Sequence, residues 1–195
     1  MHMRKVIKGL TAVALMVVLA GCKVPGLPEG MPSIPEDIPF IGDNAASDDA
    51  GQAAEAAGTV EVYRLYNPVT GEHFYTTSTV ERDALIAASW NDEGLGWIAP
   101  ATSDIPVYRL SNPNTGEHHF TMNAIERDSL VAGGWADEGI GWYSDPNQTV
   151  PLLREYNPSA ITGSHNYTSN VEEHNSLIAN GWVDEGIGWY AVSAG

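Results

Sequence analysis

Four types of side chain that can bind a ligand or take part in catalysis recur three times at corresponding positions of this sequence. A partly exposed indole offers a flat platform to the apolar face of a sugar and a donor in its N–H. We name the four sets the strand arginines, the hairpin histidines, the DEG glutamates (of an Asp-Glu-Gly motif) and the second tryptophans. They are Arg64, Arg109 and Arg154; His73, His118 and His165; Glu93, Glu138 and Glu185; and Trp97, Trp142 and Trp189.

Each charged set has a structural interpretation beside a functional one. A strand arginine and a DEG glutamate can form a semi-buried bidentate ion pair within one repeat, or the two can clamp a polar ligand. The hairpin histidines can pack within the fold, contact a ligand, or meet on a threefold axis and bind zinc. Because no His-x-His or Glu-x-x-His motif supports zinc, and nearby ligands differ between copies, we predict no metal site.

The same residues argue against catalysis. Asp92 and Glu93 are neighbours in sequence, whereas glycosidases place two carboxylates on either side of the scissile bond, ~5–9 Å apart. No serine lies in a nucleophile elbow. A catalytic site gathers different residues in one place, but this chain repeats the same residues in three places. We therefore expect a binding protein without enzymatic activity or cofactor, whose linked weak sites gain avidity.

A long repeat surrounds these residues. The phrase "WADEGIGWY" at Trp135 recurs nearly unchanged at Trp182 and as "WNDEGLGWI" at Trp90. The first two copies are 45 residues apart, and two residues are inserted in the third, in the turn that ends at Gly163. The repeats span 60–100, 105–145 and 150–192 within a domain at 59–195. Because one unit cannot bury its own apolar face, neighbouring units must share a core.

Within each unit the pattern predicts strand, strand, helix, turn and strand. A run rich in β-branched and aromatic residues ends at Asn-Pro and returns after a glycine, which indicates a hairpin. Ser78 and Glu81 form a capping box before a short helix. A turn at Glu93-Gly94 precedes the last strand. We expect the first tryptophans to be buried and the second tryptophans to be partly open. The first tryptophans are Trp90, Trp135 and Trp182.

These elements predict a mainly β fold with three short helices. Three copies with almost nothing after the third favour a closed ring with pseudo-threefold symmetry. A beta-trefoil-like barrel is the first expectation, and a three-bladed propeller-like ring is the alternative.

The repeat resembles a family of short bacterial and fungal repeats of unknown function, with the signatures Y-R-L-Y-N-P-x-x-G-E-H-F-Y-T and N-D-E-G-x-G-W. Such repeats occur on surface proteins, often beside cell-wall-degrading or carbohydrate-active domains, so the resemblance implies an accessory binding role. The second copy departs at His119, where the first has Phe74. The third departs at Glu155, Ser164 and Asn166, so a pocket in that copy is expected to be altered.

The N-terminus predicts a bacterial lipoprotein. Residues 1–21 have a basic start and a short apolar stretch, as in a secretory signal. Leu-Ala-Gly-Cys at residues 19–22 resembles a lipobox, which implies cleavage before Cys22, the only cysteine, and lipidation of its thiol. Residues 22–58, rich in Pro, Ala and Asp, predict a tether. We expect a membrane-anchored protein of the cell envelope, outside the cytoplasm.

Charge narrows the partners. From Glu61 onward, five arginines against 18 acidic residues give a net charge of −13. A domain this acidic repels phosphate polymers, so nucleic acid is not an expected partner. The sequence therefore predicts a surface-anchored module that binds peptidoglycan or another extracellular glycan. The alternative is a structural or protein-adhesion module, and a cell-wall hydrolase is a remote third.

Overall fold

A computed structural model describes residues 58–195, which hold all three repeats. The predicted signal peptide, Cys22 and nearly all of the tether lie outside the described residues. Each repeat folds as strand, strand, helix, strand, which confirms the predicted order. The strands and helices, in chain order, are β1 (Thr59–Tyr66), β2 (His73–Thr76), α1 (Thr79–Ala87), β3 (Asn91–Pro100), β4 (Pro106–Ser111), β5 (His118–Thr121), α2 (Ala124–Ala132), β6 (Ala136–Tyr143), β7 (Val150–Tyr156), β8 (His165–Thr168), α3 (Val171–Ala179), β9 (Val183–Ala191) and β10 (Ser193–Ala194).

The strands of each repeat form one small antiparallel sheet, with the first strand of the repeat between the other two. The short β10 adds a fourth strand to the first sheet by pairing with β3. The fold is thus mainly β with three helices, as predicted. A trefoil-like barrel requires a closed sheet with strands from all three repeats, and residues 58–195 contain three separate sheets and no closed barrel.

The Asp-Glu-Gly motif lies within a strand, where a turn was expected. In the first sheet, Tyr63 faces Leu95 and Leu65 faces Asp92, so Glu93 and Gly94 together lie opposite one residue, Arg64. This is a β-bulge, and Gly94 meets its backbone requirement with a φ of 81°. The register shifts at the same place in the other two sheets. The bulge brings each DEG glutamate level with the strand arginine of its own repeat.

The helices begin at the predicted caps but bury little. The Ser78 side chain accepts from the backbone N–H of Glu81, and Asn123 and Asn170 cap the other two helices in the same way. In the first helix Leu85 is fully buried, whereas Val80 and its counterpart Ile125 in the second helix are 68% and 76% exposed. The carboxylate of the third helical residue, Glu81 in the first helix, pairs instead with Arg109 of the next repeat.

The second tryptophans form the centre of the core, which corrects the prediction that they are partly open. Their side chains are 0–3% exposed. Their rings contact one another in all three pairs, with centroids 5.4–5.8 Å apart. A second set of mutually contacting rings lies beside them, one on each tryptophan: Tyr75, Phe120 and Tyr167. No sugar can stack on these indoles without opening the core.

The first tryptophans, predicted to be buried, differ among themselves. Trp90 is 6% exposed. Trp135 and Trp182 are only partly buried. The prediction for the second tryptophans is therefore wrong, because the Gly-Trp motif in the last strand of each repeat points inward. The prediction for the first tryptophans is confirmed at Trp90, whereas Trp135 and Trp182 lie nearer the surface.

Candidate functional site

Each strand arginine bridges two carboxylates across a junction between repeats. The Arg64 Nε lies 2.7 Å from Glu93 Oε2 in its own repeat. Its two terminal nitrogens donate to the Glu173 carboxylate in repeat 3, at 2.9 and 2.5 Å. Arg109 pairs with Glu138 and with Glu81 of repeat 1, and Arg154 pairs with Glu185 and with Glu126 of repeat 2. We name Glu81, Glu126 and Glu173, which follow the helix caps, the cap glutamates.

The electrostatics of these bridges favour the charged forms. Burial opposes ionisation of Glu173, but the hydrogen bonds from Arg64 and Thr168 and the charge of Arg64 together outweigh it and lower the pKa of the carboxyl. The pKa of Glu126 is lowered against burial in the same way by hydrogen bonds from His119 and Arg154. The expected arginine–carboxylate pair within each repeat is present as a single Nε contact, whereas the bidentate contacts of Arg64 and Arg154 are made with the neighbouring repeat. Because each guanidinium also binds the neighbouring repeat, its N–H donors are used in the contact between the two repeats.

The hairpin histidines lie at three separate junctions. His118 Nδ1 is 2.9 Å from Glu72 Oε1 of repeat 1, and His165 Nε2 is 3.3 Å from Glu185 in its own repeat. His73 Nε2 lies 3.5 Å from Glu93 Oε2. Within residues 58–195 no group of three or more His, Cys, Asp or Glu is arranged to hold a metal ion. The three hairpin histidines do not meet on a common axis, which was the alternative that zinc binding required.

The side chain at one position of the repeat differs between the three junctions, and its size determines how much of the space at the junction it occupies. At the first junction Phe74 packs against Trp90 and His118, with ring centroids 6.0 and 4.6 Å away. At the second junction His119 takes the same place between Trp135 and His165, at 6.2 and 4.6 Å.

At the third junction the corresponding residue is Asn166, a smaller side chain. Its amide is turned into the core, where it accepts from the Tyr75 hydroxyl and donates to Glu155. Glu155 also binds His174 Nδ1, at 2.6 Å. No aromatic ring therefore separates Trp182 of repeat 3 from His73 of repeat 1.

A cleft of about 420 Å³ lies at this third junction. Two aromatic side chains, Tyr66 and Trp182, line it together with the imidazole of His73 and the carboxylate of Glu93. The remaining lining residues come from both hairpin turns and the third helix: Thr70, Gly71, Asn157, Ala160, Thr162, Gly163 and Leu177.

The inserted turn of repeat 3 forms one wall of the cleft. Gly163 lies against the backbone of repeat 1, since a Cβ there would be 2.5 Å from the Glu72 Cα. Its φ of 63° is also one that few L residues adopt. The two-residue insertion in this copy is thus accommodated by a glycine where the two hairpins meet.

His73 is neutral at neutral pH. Burial lowers the pKa of its imidazole, and the nearby charge of Arg64 lowers it further, to about 4. A neutral imidazole beside a tyrosine ring, with centroids 4.9 Å apart, can donate or accept one hydrogen bond at each nitrogen. The cleft thus offers polar and aromatic groups with little positive charge.

The cleft contains two residues that the sequence singled out as site residues, His73 and Glu93. The second tryptophans are in the core, and the strand arginines are bound to two glutamates each. Sequence reasoning missed Trp182, which it assigned to the core, and Tyr66. The signal was present in the third copy, because its insertion and Asn166 mark the junction that differs from the others.

The chain belongs to the family described as a domain of unknown function, DUF5648, which residues 56–192 match. No curated protein and no solved structure matches it.

Proposed function

We propose that this member of the DUF5648 family is a binding module that takes a neutral glycan in the cleft between repeats 3 and 1. The observation that supports this most is the composition of the cleft, where Trp182 and Tyr66 lie beside the polar groups of His73, Glu93 and Asn157. Aromatic faces match the apolar faces of sugar rings, and the polar groups match the hydroxyls. The volume suits a short saccharide segment.

The charge of the domain favours a neutral ligand. With −13 on the repeats, anionic polymers are repelled at long range. Among the described residues that line the cleft, Glu93 is the only charged carboxylate or base. It shares the Arg64 guanidinium with Glu173, so the three groups together carry one net negative charge. A cationic ligand would gain less electrostatic binding energy there than beside an unpaired carboxylate, because Glu93 is paired with Arg64.

Binding without hydrolysis fits the same group of residues. Glycoside hydrolysis uses two carboxylates on either side of the bond, and the described lining of the cleft supplies one. That one carboxylate is paired with Arg64, whose Nε lies 2.7 Å from its Oε2. We therefore assign no catalytic step to the cleft.

We also propose that the three sheets close into a three-bladed, propeller-like ring. The arginine bridges support this because they run in a cycle: repeat 1 binds repeat 3, repeat 2 binds repeat 1, and repeat 3 binds repeat 2. The mutual contacts of the second tryptophans support it too. In a ring, the cleft is the junction where the last repeat meets the first.

Membrane anchoring through Cys22 completes the proposal. Among residues 58–195 there is no helix with the length and apolarity needed to cross a bilayer. The lipobox-like sequence and the tether would place the repeats at the cell envelope, on the outer side of a membrane. Changing Cys22 to Ser should release the protein from the membrane fraction. Retention of the variant in membranes after a high-salt wash would contradict the anchor.

The glycan proposal is tested with the full chain in detergent on an array of neutral and charged oligosaccharides, followed by pull-down on purified cell wall. We expect binding that Trp182→Ala abolishes. The matched control is Trp135→Ala, which removes the equivalent indole at the second junction and should leave binding within about twofold. Equal binding by both variants and the parent, or no binding by the parent, would overturn the proposal.

A protein partner is the second candidate. One exposed apolar residue per repeat lies at the same place in the last strand: Leu95, Ile140 and Ile187, which are 36–48% exposed. Apolar side chains repeated on a surface favour protein contacts. If replacing all three by Ser removed cell-envelope binding while Trp182→Ala did not, this candidate would replace the glycan.

A further inference from the structure

The first junction is held by a contact that is absent from the third. Glu72, at the end of the hairpin turn of repeat 1, points its carboxylate at repeat 2. There its Oε1 accepts from the His118 backbone N–H and lies near His118 Nδ1, at 2.8 and 2.9 Å. Two polar atoms of one histidine thus converge on one oxygen of the preceding repeat. The pair is buried, with side-chain exposures of 6% and 4%.

The backbone explains why His118 presents its N–H to the neighbouring repeat. The N–H of Asn112 donates to the carbonyl of Glu117, which makes those two residues a hydrogen-bonded pair. Pairs alternate along an antiparallel ladder, so the next pair, Ser111 and His118, is not hydrogen-bonded. The His118 N–H therefore points out of its own hairpin.

His73 has the same backbone arrangement in repeat 1. The Asn67 N–H donates to the Glu72 carbonyl, and Tyr66 and His73 form the following pair. The His73 N–H therefore points out of its hairpin as well, towards repeat 3, and His73 lines the cleft there. Its Nδ1 is the counterpart of the His118 nitrogen that meets Glu72.

Repeat 3 does not supply the matching carboxylate. The residue that corresponds to Glu72 is Ser164, and it is turned the other way. Its N–H and hydroxyl both donate to Glu117 Oε1 of repeat 2, with the nitrogen at 2.8 Å. At the third junction, no described residue is seen to place an oxygen on His73 as Glu72 does on His118.

We propose that a ligand supplies this oxygen, and that the oxygen is the acetamido carbonyl of an N-acetylated amino sugar. This inference rests on the proposed function and names the sugar class. An amide carbonyl resembles a carboxylate in its planarity and as an acceptor. The acetamido methyl would then face apolar surface of the cleft, such as Trp182 and Leu177.

A neutral acceptor fits this place better than a ligand carboxylate. His73 is uncharged at neutral pH, and the nearby Glu93 and Glu173 share the single cation of Arg64, so an added anion would meet a net negative charge. His73 Nε2 is 3.5 Å from Glu93, longer than a normal hydrogen bond, and Glu93 is already paired with Arg64. The imidazole can therefore carry its proton on Nδ1 and donate to the sugar.

The test compares three trisaccharides on the full chain in detergent by isothermal titration calorimetry. They are tri-N-acetylchitotriose, cellotriose, which has hydroxyls in place of the acetamido groups, and trigalacturonic acid, which has carboxylates. We expect the N-acetylated ligand to bind at least tenfold more tightly than cellotriose, with trigalacturonic acid weakest. His73→Phe keeps a ring beside Tyr66 but removes Nδ1, and should reduce the N-acetyl preference at least threefold.

His165→Phe is the matched control, because it makes the same change in repeat 3, outside the cleft, and should leave the preference unchanged. If tri-N-acetylchitotriose and cellotriose bind equally and both need Trp182, the inference is wrong and the proposed function stands. If trigalacturonic acid binds most tightly, the ligand oxygen is a carboxylate and the inference is wrong. If no saccharide binds, the proposed function itself fails. A His73→Phe variant with the preference intact would also overturn the inference, once its melting temperature shows that it is folded.

Discussion

Replacing Trp142 by Ala is expected to destabilise the whole repeat domain. The Trp142 side chain is 3% exposed and stacks on Phe120 at a centroid distance of 4.9 Å, besides contacting the tryptophans of the other two repeats. Truncation of a buried Trp costs ~3–5 kcal/mol. For a domain of this size, that loss lowers the melting temperature by roughly 10–20 °C. A typical domain has only ~5–15 kcal/mol in total, so the variant should be marginal.

The assay is thermal melting of the full chain by circular dichroism, with Trp182→Ala as the matched control. Trp182 is only partly buried, and its loss should cost ~1–2 kcal/mol because less apolar surface is given up. The melt of the Trp142 variant should remain a single transition, since the three repeats share one core. Equal losses from both variants, or separate transitions for separate repeats, would refute the assignment of the second tryptophans to a shared core.

Three further predictions concern the junctions and the backbone. Arg109→Met leaves two glutamates without their cation at a buried junction, where Arg109 and Glu81 are 6% and 8% exposed. It should lower the unfolding free energy measured in urea by ~3–5 kcal/mol. Adding Glu81→Leu should recover part of that loss, and no recovery would contradict the pairing. His73 has a folded pKa of about 4 against an ordinary 6.5, so its contribution to stability is fully present above pH 6.5 and is lost as the pH falls towards 4. The melting temperature of His73→Phe should therefore fall less than that of the parent over this range. Parallel curves of melting temperature against pH would refute the shift. Ser89 has a φ of 72°, and the corresponding residues of the other repeats are Gly134 and Gly181. Ser89→Gly should therefore raise the unfolding free energy by up to ~1 kcal/mol. A clear decrease in that free energy would show that the backbone is not strained there.

Local structure was predictable from the sequence because local rules decide it. Hairpins, caps and the order of elements follow from glycine, Asn-Pro and capping residues that act over a few positions. The bulge at Glu93 was not predictable in this way. An Asp-Glu-Gly motif fits a turn or a bulge equally well, and the pairing of β3 with β1 decides between them.

The roles of the tryptophans could not be read from one repeat. In a shared core, whether Trp97 is buried depends on the equivalent residues of the other two repeats, which contact it at 5.5 and 5.8 Å. The cap glutamates were missed for the same reason. Glu81 has a sufficient explanation in its own helix, yet its side chain binds Arg109 of the next repeat.

The cleft was partly visible in the sequence as departures from the repeat. Asn166 and Ser164 were noted as differences, and a pocket in the third copy was expected to be altered. The cleft lies where that copy meets repeat 1, at the junction where Asn166 stands in the position that Phe74 and His119 occupy at the other two junctions. A departure from a repeat can thus coincide with a cleft that the other junctions lack, where sequence comparison suggests the loss of a pocket.

The most direct test of the central claim is a titration of the full chain with tri-N-acetylchitotriose. Binding is monitored through the NMR signals of the protein's six indole N–H groups. Single Trp→Phe variants assign each signal. If the glycan binds in the cleft, the Trp182 signal should shift and saturate, while the three buried signals of the second tryptophans stay in place. Saturable shifts confined to Trp90 or Trp135, or no shift at all at millimolar ligand, would contradict the account.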